Sequence, residues 1–186
     1  MRSIPRVSLF VLICVALARC GSAPVAPPPA PLTDPDDILR VARETMAAAA
    51  FCTLITLDEE GRPRARIMDP TAPDAGMRVT LMTNPLSRKV RQIERDPRVT
   101  LLYFDSGAPG YVTIIGRAIM IVEPAEKRRR WVDRWSPHVD DPGQAILYEV
   151  IPERIEVVSP ARGVVPDPAT WTPPGVDYEA RMDLAT

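Results

Sequence analysis

The chain has 186 residues, with 23 basic and 24 acidic side chains and a formal net charge of −1, so it fits one ordinary domain and lacks the basic footprint of a nucleic-acid binder. With 46% hydrophobic and 25% charged residues it can build a real core, which excludes disorder along most of its length. Its 22 prolines, more than twice the usual share of about 5%, crowd between Ala23 and Pro35 and between Pro160 and Pro174, and so mark linkers and a tail.

Arg2 and Arg6 precede the uncharged apolar run Val7–Ala18. That run is shorter than the roughly 20 residues a membrane-spanning helix needs, but it suits the core of a signal peptide. Leu17-Ala18-Arg19-Cys20 then resembles a bacterial lipobox. Residues 1–20 are therefore expected to direct export, with Cys20 lipidated and the protein held on the periplasmic or cell-surface side of a membrane. Arg19 departs from the small residue usual before such a cysteine; ordinary secretion and an uncleaved N-terminal anchor are the alternatives. Residues 21–33 form a Pro-rich, semi-rigid spacer.

With Cys14 and Cys20 in the export segment, Cys52 is alone, so an intramolecular disulfide is not expected. The single histidine, His138, lies in the loop-like segment Ser136–Asp140 and reads as a solvated side chain; zinc chemistry and a Ser-His-Asp arrangement have no support.

Residues 34–158 read as one domain. Thr33-Asp34-Pro35-Asp36-Asp37 opens a helix, with Ile38, Val41, Ala42, Thr45 and Met46 at helical spacing to about Ala50. Phe51–Leu57 and Arg62–Met68 form a hairpin about the turn Asp58–Gly61. Met77–Thr83 is a third strand, and Arg88–Arg95 a helix stopped by Asp96-Pro97. Arg98–Phe104 and Tyr111–Val122 are further strands, the latter bent or bulged at Gly116. A helix from Glu123-Pro124 to about Trp135 would place Trp131 and Trp135 on one face, where core packing outweighs a role in covering a ligand. Ala145–Val158 is a last strand or pair of strands broken by Pro152, and residues 159–186 are an aperiodic Pro-rich tail that either wraps the domain or stays mobile. Strands this close, joined by hairpins, predict a mainly β antiparallel barrel with short helices; no Rossmann or P-loop motif is present.

Ser87, Arg88 and Lys89 sit at a strand-to-helix junction, where free N–H groups and two cations face the same way. Lys89 is one of only two lysines in a chain that otherwise uses arginine, and a compact charge is wanted there. Arg64 and Arg66 alternate on a strand and could reach the same anion. Spacing alone also fits a solvated helix start.

The order Arg64-x-Arg66-x-Met68, then Thr83-Asn84, then Ser87-Arg88-Lys89-x-x-Gln92-Ile93, then Pro97-Arg98-Val99, then Ile115-Gly116-x-Ala118 resembles the pyridoxamine 5′-phosphate oxidase-like family, over roughly Ile38 to Val158. The resemblance implies an antiparallel split β-barrel that binds FMN across a homodimer interface. It implies that Arg66, Arg88 and Lys89 clamp the FMN phosphate, with Thr83 and Ser87 beside them. It further implies that Ile67, Met68, Met82 and Tyr111 lie near the cofactor. Met82 replaces a family tyrosine and Tyr111 a flavin-contacting glutamine.

The run after Arg66, Ile67-Met68-Asp69-Pro70-Thr71, lacks the substrate-holding lysine of the oxidase proper, and a Pro-rich tail replaces its C-terminal dimerisation segment. These departures argue against vitamin B6 oxidase activity. The stretch Trp131–Ile155 is more similar to the general-stress-protein branch. The implied function is FMN-dependent oxidoreduction on an unassigned substrate, with no acid or base evident at the flavin. A flavin carrier or redox sensor without turnover, and a barrel holding deazaflavin F420 or haem, are the alternatives.

Overall fold

The computed structural model describes residues 31–139 and 142–178. The expected export signal, Cys20 and most of the spacer lie outside them. Helix α1 (Pro35–Ala49) begins as its residues require: the Asp34 side chain accepts from the N–H groups of Asp36 and Asp37, and Pro35 fills the first turn. Its apolar stripe, Ile38, Leu39, Val41, Ala42 and Met46, is buried against the sheet.

The strands are β1 (Cys52–Leu57), β2 (Pro63–Met68), β3 (Val79–Thr83), β4 (Arg98–Asp105), β5 (Gly110–Ile121), β6 (Ile146–Val158) and β7 (Gly175–Asp177). All described pairings are antiparallel, in the order β2-β1-β4-β5-β6-β3. A bridge between Pro70 and Leu81, with the Thr71 N–H donating to Thr80 O at 3.0 Å, joins the chain just after β2 to β3 and completes the ring. The antiparallel barrel expected from hairpin spacing is the fold observed. Alternation fills it: Leu54, Leu101, Tyr103, Val112, Ile114, Tyr148 and Val150 point inward. Burial pushes the Cys52 thiol on the same face up to about 12, so it is no nucleophile at neutral pH.

Three expectations need correction. The last strand is not broken at Pro152; β6 runs through it, because the pairing shifts there. The irregularity expected at Gly116 is there: Ile115 pairs with Arg154 and Gly116 with Pro152, so the extra residue, Glu153, is carried by β6 opposite it. Burial along β6 slips by one at that point, from Tyr148 and Val150 to Ile155 and Val157.

The helix after β5 is short: α3 (Pro124–Arg130) ends in four consecutive cations, and the backbone of Trp131 is extended. Asp133–His138 is a separate 3-10 turn, so the two tryptophans share no helix face. They meet edge to face, with ring centroids 5.7 Å apart, and Trp135 is buried as core packing required.

Of the two courses open to the tail, it wraps the domain where it is described. Ser159 bridges Val164, β7 pairs with β6, and Val164 and Val176 enter the core. Finally, Arg64 lines a cleft together with Arg88 and Gln92 but is no free cation there, because it is ion-paired to Asp58 at 2.8 Å.

Candidate functional site

Helix α2 (Arg88–Arg95) follows β3 after a turn in which the Leu86 N–H donates to Asn84 Oδ1 at 2.8 Å. Val90 and Ile93 anchor its buried face. Ser87 occupies the N-cap position but makes no capping bond there. Its hydroxyl instead accepts from Lys89 Nζ at 2.7 Å, and Thr83 Oγ1, at the buried end of β3, accepts from the same ammonium at 2.7 Å. Two hydroxyls thus aim Lys89 without neutralising it, and its third N–H is left over.

Arg66 approaches from β2, whose register sets its neighbours. It lies opposite Leu54, and its guanidinium reaches along β1 to Thr56 Oγ1 at 2.7 Å. Gln92, half-buried on the side of α2 that faces β1, accepts from Arg66 Nη2 at 2.9 Å and from Thr56 Oγ1 at 2.7 Å. Neither Thr56 nor Gln92 was assigned a role from the sequence. Gln92 carried a signal, since it sits three residues beyond Lys89 in the Ser-Arg-Lys-x-x-Gln run.

Among the described residues, Arg66, Arg88 and Lys89 have no carboxylate within ion-pair distance, whereas most arginines of the chain do. Burial, and then the charge of Arg88, lowers the pKa of Arg66; burial, and then the charge of Arg66, lowers that of Lys89. Three cations therefore crowd one another at a helix N-terminus with no counter-charge. Asp58 on the neighbouring turn behaves oppositely. Although burial opposes it, backbone N–H groups and the guanidinia of Arg62 and Arg64 hold its carboxyl well below the usual range.

The clamp opens onto a cleft of about 380 Å³ lined by Phe51, Ile67, Met68, Met82, Thr83, Lys89 and Trp135, with His138 also on its wall. Ile67, Met68, Met82, Thr83 and Lys89 are thus brought together, and Arg66, Ser87 and Arg88 border them. Tyr111 is not among them. It pairs with Val158, twelve residues along β6 from Ile146, the partner of Thr83. Among the described residues, no group of His, Cys, Asp and Glu is placed to hold a metal ion.

The sequence profile of the family Pyridoxamine 5′-phosphate oxidase matches residues 38–159. No curated protein matches the chain. Solved structures share the fold. A Clostridium acetobutylicum protein related to general stress protein 26 of B. subtilis (pyridoxinephosphate oxidase family) superposes with TM-score 0.63 at 15% identity, over 79% of this chain and 98% of that one. General stress protein 26 of Bacillus anthracis gives 0.53 at 19%, over 62% and 92%. A heme binding protein of Mycobacterium smegmatis gives 0.57 at 21%, over 75% and 57%.

Proposed function

The chain belongs to the pyridoxamine 5′-phosphate oxidase family, and we propose that it binds FMN and acts as a flavin-dependent oxidoreductase on a substrate other than phosphorylated vitamin B6. The cluster of Arg66, Arg88 and Lys89 without a carboxylate partner carries this reading. A phosphate monoester, at about −1.5 to −2 charge near neutral pH, is the kind of group that balances three such cations. FMN would supply the two-electron chemistry when bound.

The protein's own part is to hold and orient. Thr83 and Ser87 fix the Lys89 ammonium, Thr56 and Gln92 fix the Arg66 guanidinium, and Ile67, Met68 and Met82 offer apolar surface to a ring. Asp69, rather than lysine, follows Met68, and its carboxylate is ion-paired to Arg134 at 2.9 Å. A second phosphate has no free cation there, which disfavours vitamin B6 phosphates.

His138 on the cleft wall favours one second reading, a haem ligand. The absorbance spectrum of the purified protein separates the two readings. Flavin bands support FMN, a Soret band supports haem, a deazaflavin spectrum supports F420, and a protein that takes up none of these refutes all of them.

FMN affinity should also depend on pH in two limbs. Below about pH 6 the phosphate loses its second charge and binding weakens. At high pH Lys89 deprotonates, and because its pKa lies below the ordinary lysine value, binding should start to weaken earlier than that value suggests. Fluorescence titration across pH should show both limbs, and Lys89→Arg should abolish the alkaline one alone.

We further propose a homodimer. Ile67, Leu102, Phe104, Ile115 and Ile119 are large apolar side chains exposed on the outer sheet face, where Thr53 of β1 pairs with both Ile67 and Leu102. Tyr111 lies beside Phe104 on that face and would reach a cofactor only across such an interface. At the N-terminus, export and lipidation at Cys20 remain our proposal. Intact mass from membrane fractions should give a chain starting at Cys20 with added lipid, and an unprocessed Met1 would exclude it.

A further inference from the structure

A second cavity, of about 350 Å³, adjoins the cleft and shares Phe51 and Asp69 with it. Met46, Ala47, Ala50, Pro70 and Pro73 make its walls apolar. Its two charged groups cancel. Arg134 Nε donates to both carboxylate oxygens of Asp69 at 2.9 Å, and Arg134 Nη2 donates to the Pro70 carbonyl. The same guanidinium lies 5.9 Å from the ring centroid of Trp135. One end of the composite site is therefore cationic and uncompensated, while this end is neutral and mainly apolar. Its size and lining are those of a small-molecule pocket.

The shared wall is built at a conformational cost. Ala50 has φ 59° and ψ −45°, and the Phe51 N–H donates back to Ala49 O at 2.6 Å. That is the γ-turn of the rare, strained hand, at a residue with a Cβ. It ends α1 and turns Phe51 outward, 57% exposed, while Cys52 next to it enters the core. A phenyl ring carried on a strained corner between two hollows is placed to select what lies against it.

We propose that this cavity is the substrate pocket, that it takes an uncharged aromatic ring compound, and that Phe51 determines this preference. Its place in a reaction rests on the flavin reading; its binding property does not. Calorimetric titration of the full chain, FMN-free and FMN-loaded, with 2-naphthol and the anionic 2-naphthoate, which carries the same ring, tests it.

2-Naphthol should bind, and 2-naphthoate at least about tenfold more weakly, because the cation on the wall, Arg134, is already paired with Asp69 and a carboxylate would be buried without a partner. Phe51→Ala should weaken 2-naphthol roughly tenfold, and Ala47→Trp, which fills the cavity from α1, by more. Ala47→Trp, at a residue that lines this cavity and not the cleft, should keep FMN affinity within about threefold. Equal 2-naphthol affinity in the wild type and both variants, or preference for 2-naphthoate, would overturn the proposal. So would a Phe51→Ala protein whose dimer dissociates while its 2-naphthol affinity stays put, since Phe51 would then be an interface residue. A protein that binds 2-naphthol as expected but not FMN keeps the pocket and loses the flavin reading. One that binds FMN but not 2-naphthol loses the pocket alone.

Discussion

Lys89→Ala should weaken FMN binding by roughly tenfold to a hundredfold and leave riboflavin binding nearly unchanged. A charge-assisted hydrogen bond contributes on the order of 1.5–3 kcal/mol, and each 1.4 kcal/mol is about a factor of ten in affinity. The expectation uses Lys89 in particular because the fold already holds its ammonium between Thr83 and Ser87, so little side-chain entropy remains to be lost on binding. Riboflavin lacks the phosphate and should bind the wild type poorly. A general loss of fold would weaken both ligands alike, which makes the contrast between them the decisive measurement.

The ligand-free protein should respond in the opposite sense. Burial and Arg66 lower the pKa of Lys89, so between its folded and unfolded values the unfolded chain binds more protons and stability rises with pH. A charged Lys89 is therefore a burden on the empty fold. Lys89→Ala should melt no lower than wild type without ligand, while inorganic phosphate should raise the melting temperature of the wild type more than that of the variant. Equal FMN affinity of wild type and variant would place the anion site elsewhere.

What the sequence made legible at this site was what lies close along the chain. Thr83, Ser87 and Lys89 fall within seven residues, and a strand end followed by a helix start is enough to bring them together. The partners of Arg66 depend on distant events: Thr56 on the register of β1 with β2, and Gln92 on the docking of α2 beside β1. The ion pair of Arg64 was missed for the same reason. Alternation alone puts it on the face of Arg66, but it cannot show that Asp58, at the head of the hairpin, captures it first.

The barrel was readable from hairpin spacing and alternation, which are local. The place of the bulge was marked by Gly116, but the strand that carries the extra residue was not, because Glu153 leaves no mark in composition and shows only in the pairing and in which side chains are buried. Nor was β7: three residues of a Pro-rich tail carry no period, and they become a strand only because the edge of β6 is there to receive them.

Gly116→Ala should destabilise the fold by roughly 2–4 kcal/mol, a fall in melting temperature of roughly 5–15 °C for a domain of this size. A Cβ on Gly116 would lie 2.1 Å from Ile151 O, 3.0 Å from Ile151 C and 3.1 Å from Pro152 Cα, all backbone atoms of β6. A flexible side chain could swing aside, but a strand cannot without stretching its ladder. Gly61 supplies the comparison. It has φ +75° but nothing within 4 Å of its would-be Cβ, so Gly61→Ala strains a dihedral alone and should cost only about 1 kcal/mol. The larger loss at Gly116 should therefore come from the crowded bulge, and a Gly116→Ala protein melting at or above Gly61→Ala would refute that account. The damage should also reach the cleft. On one side of the bulge, β6 pairs through Ile146–Val150 with β3, the strand that carries Met82 and Thr83. A shift of β6 there moves Thr83, and with it the Lys89 ammonium that Thr83 holds. Gly116→Ala should accordingly weaken FMN more than riboflavin even well below its melting temperature, whereas Gly61→Ala should leave both unchanged.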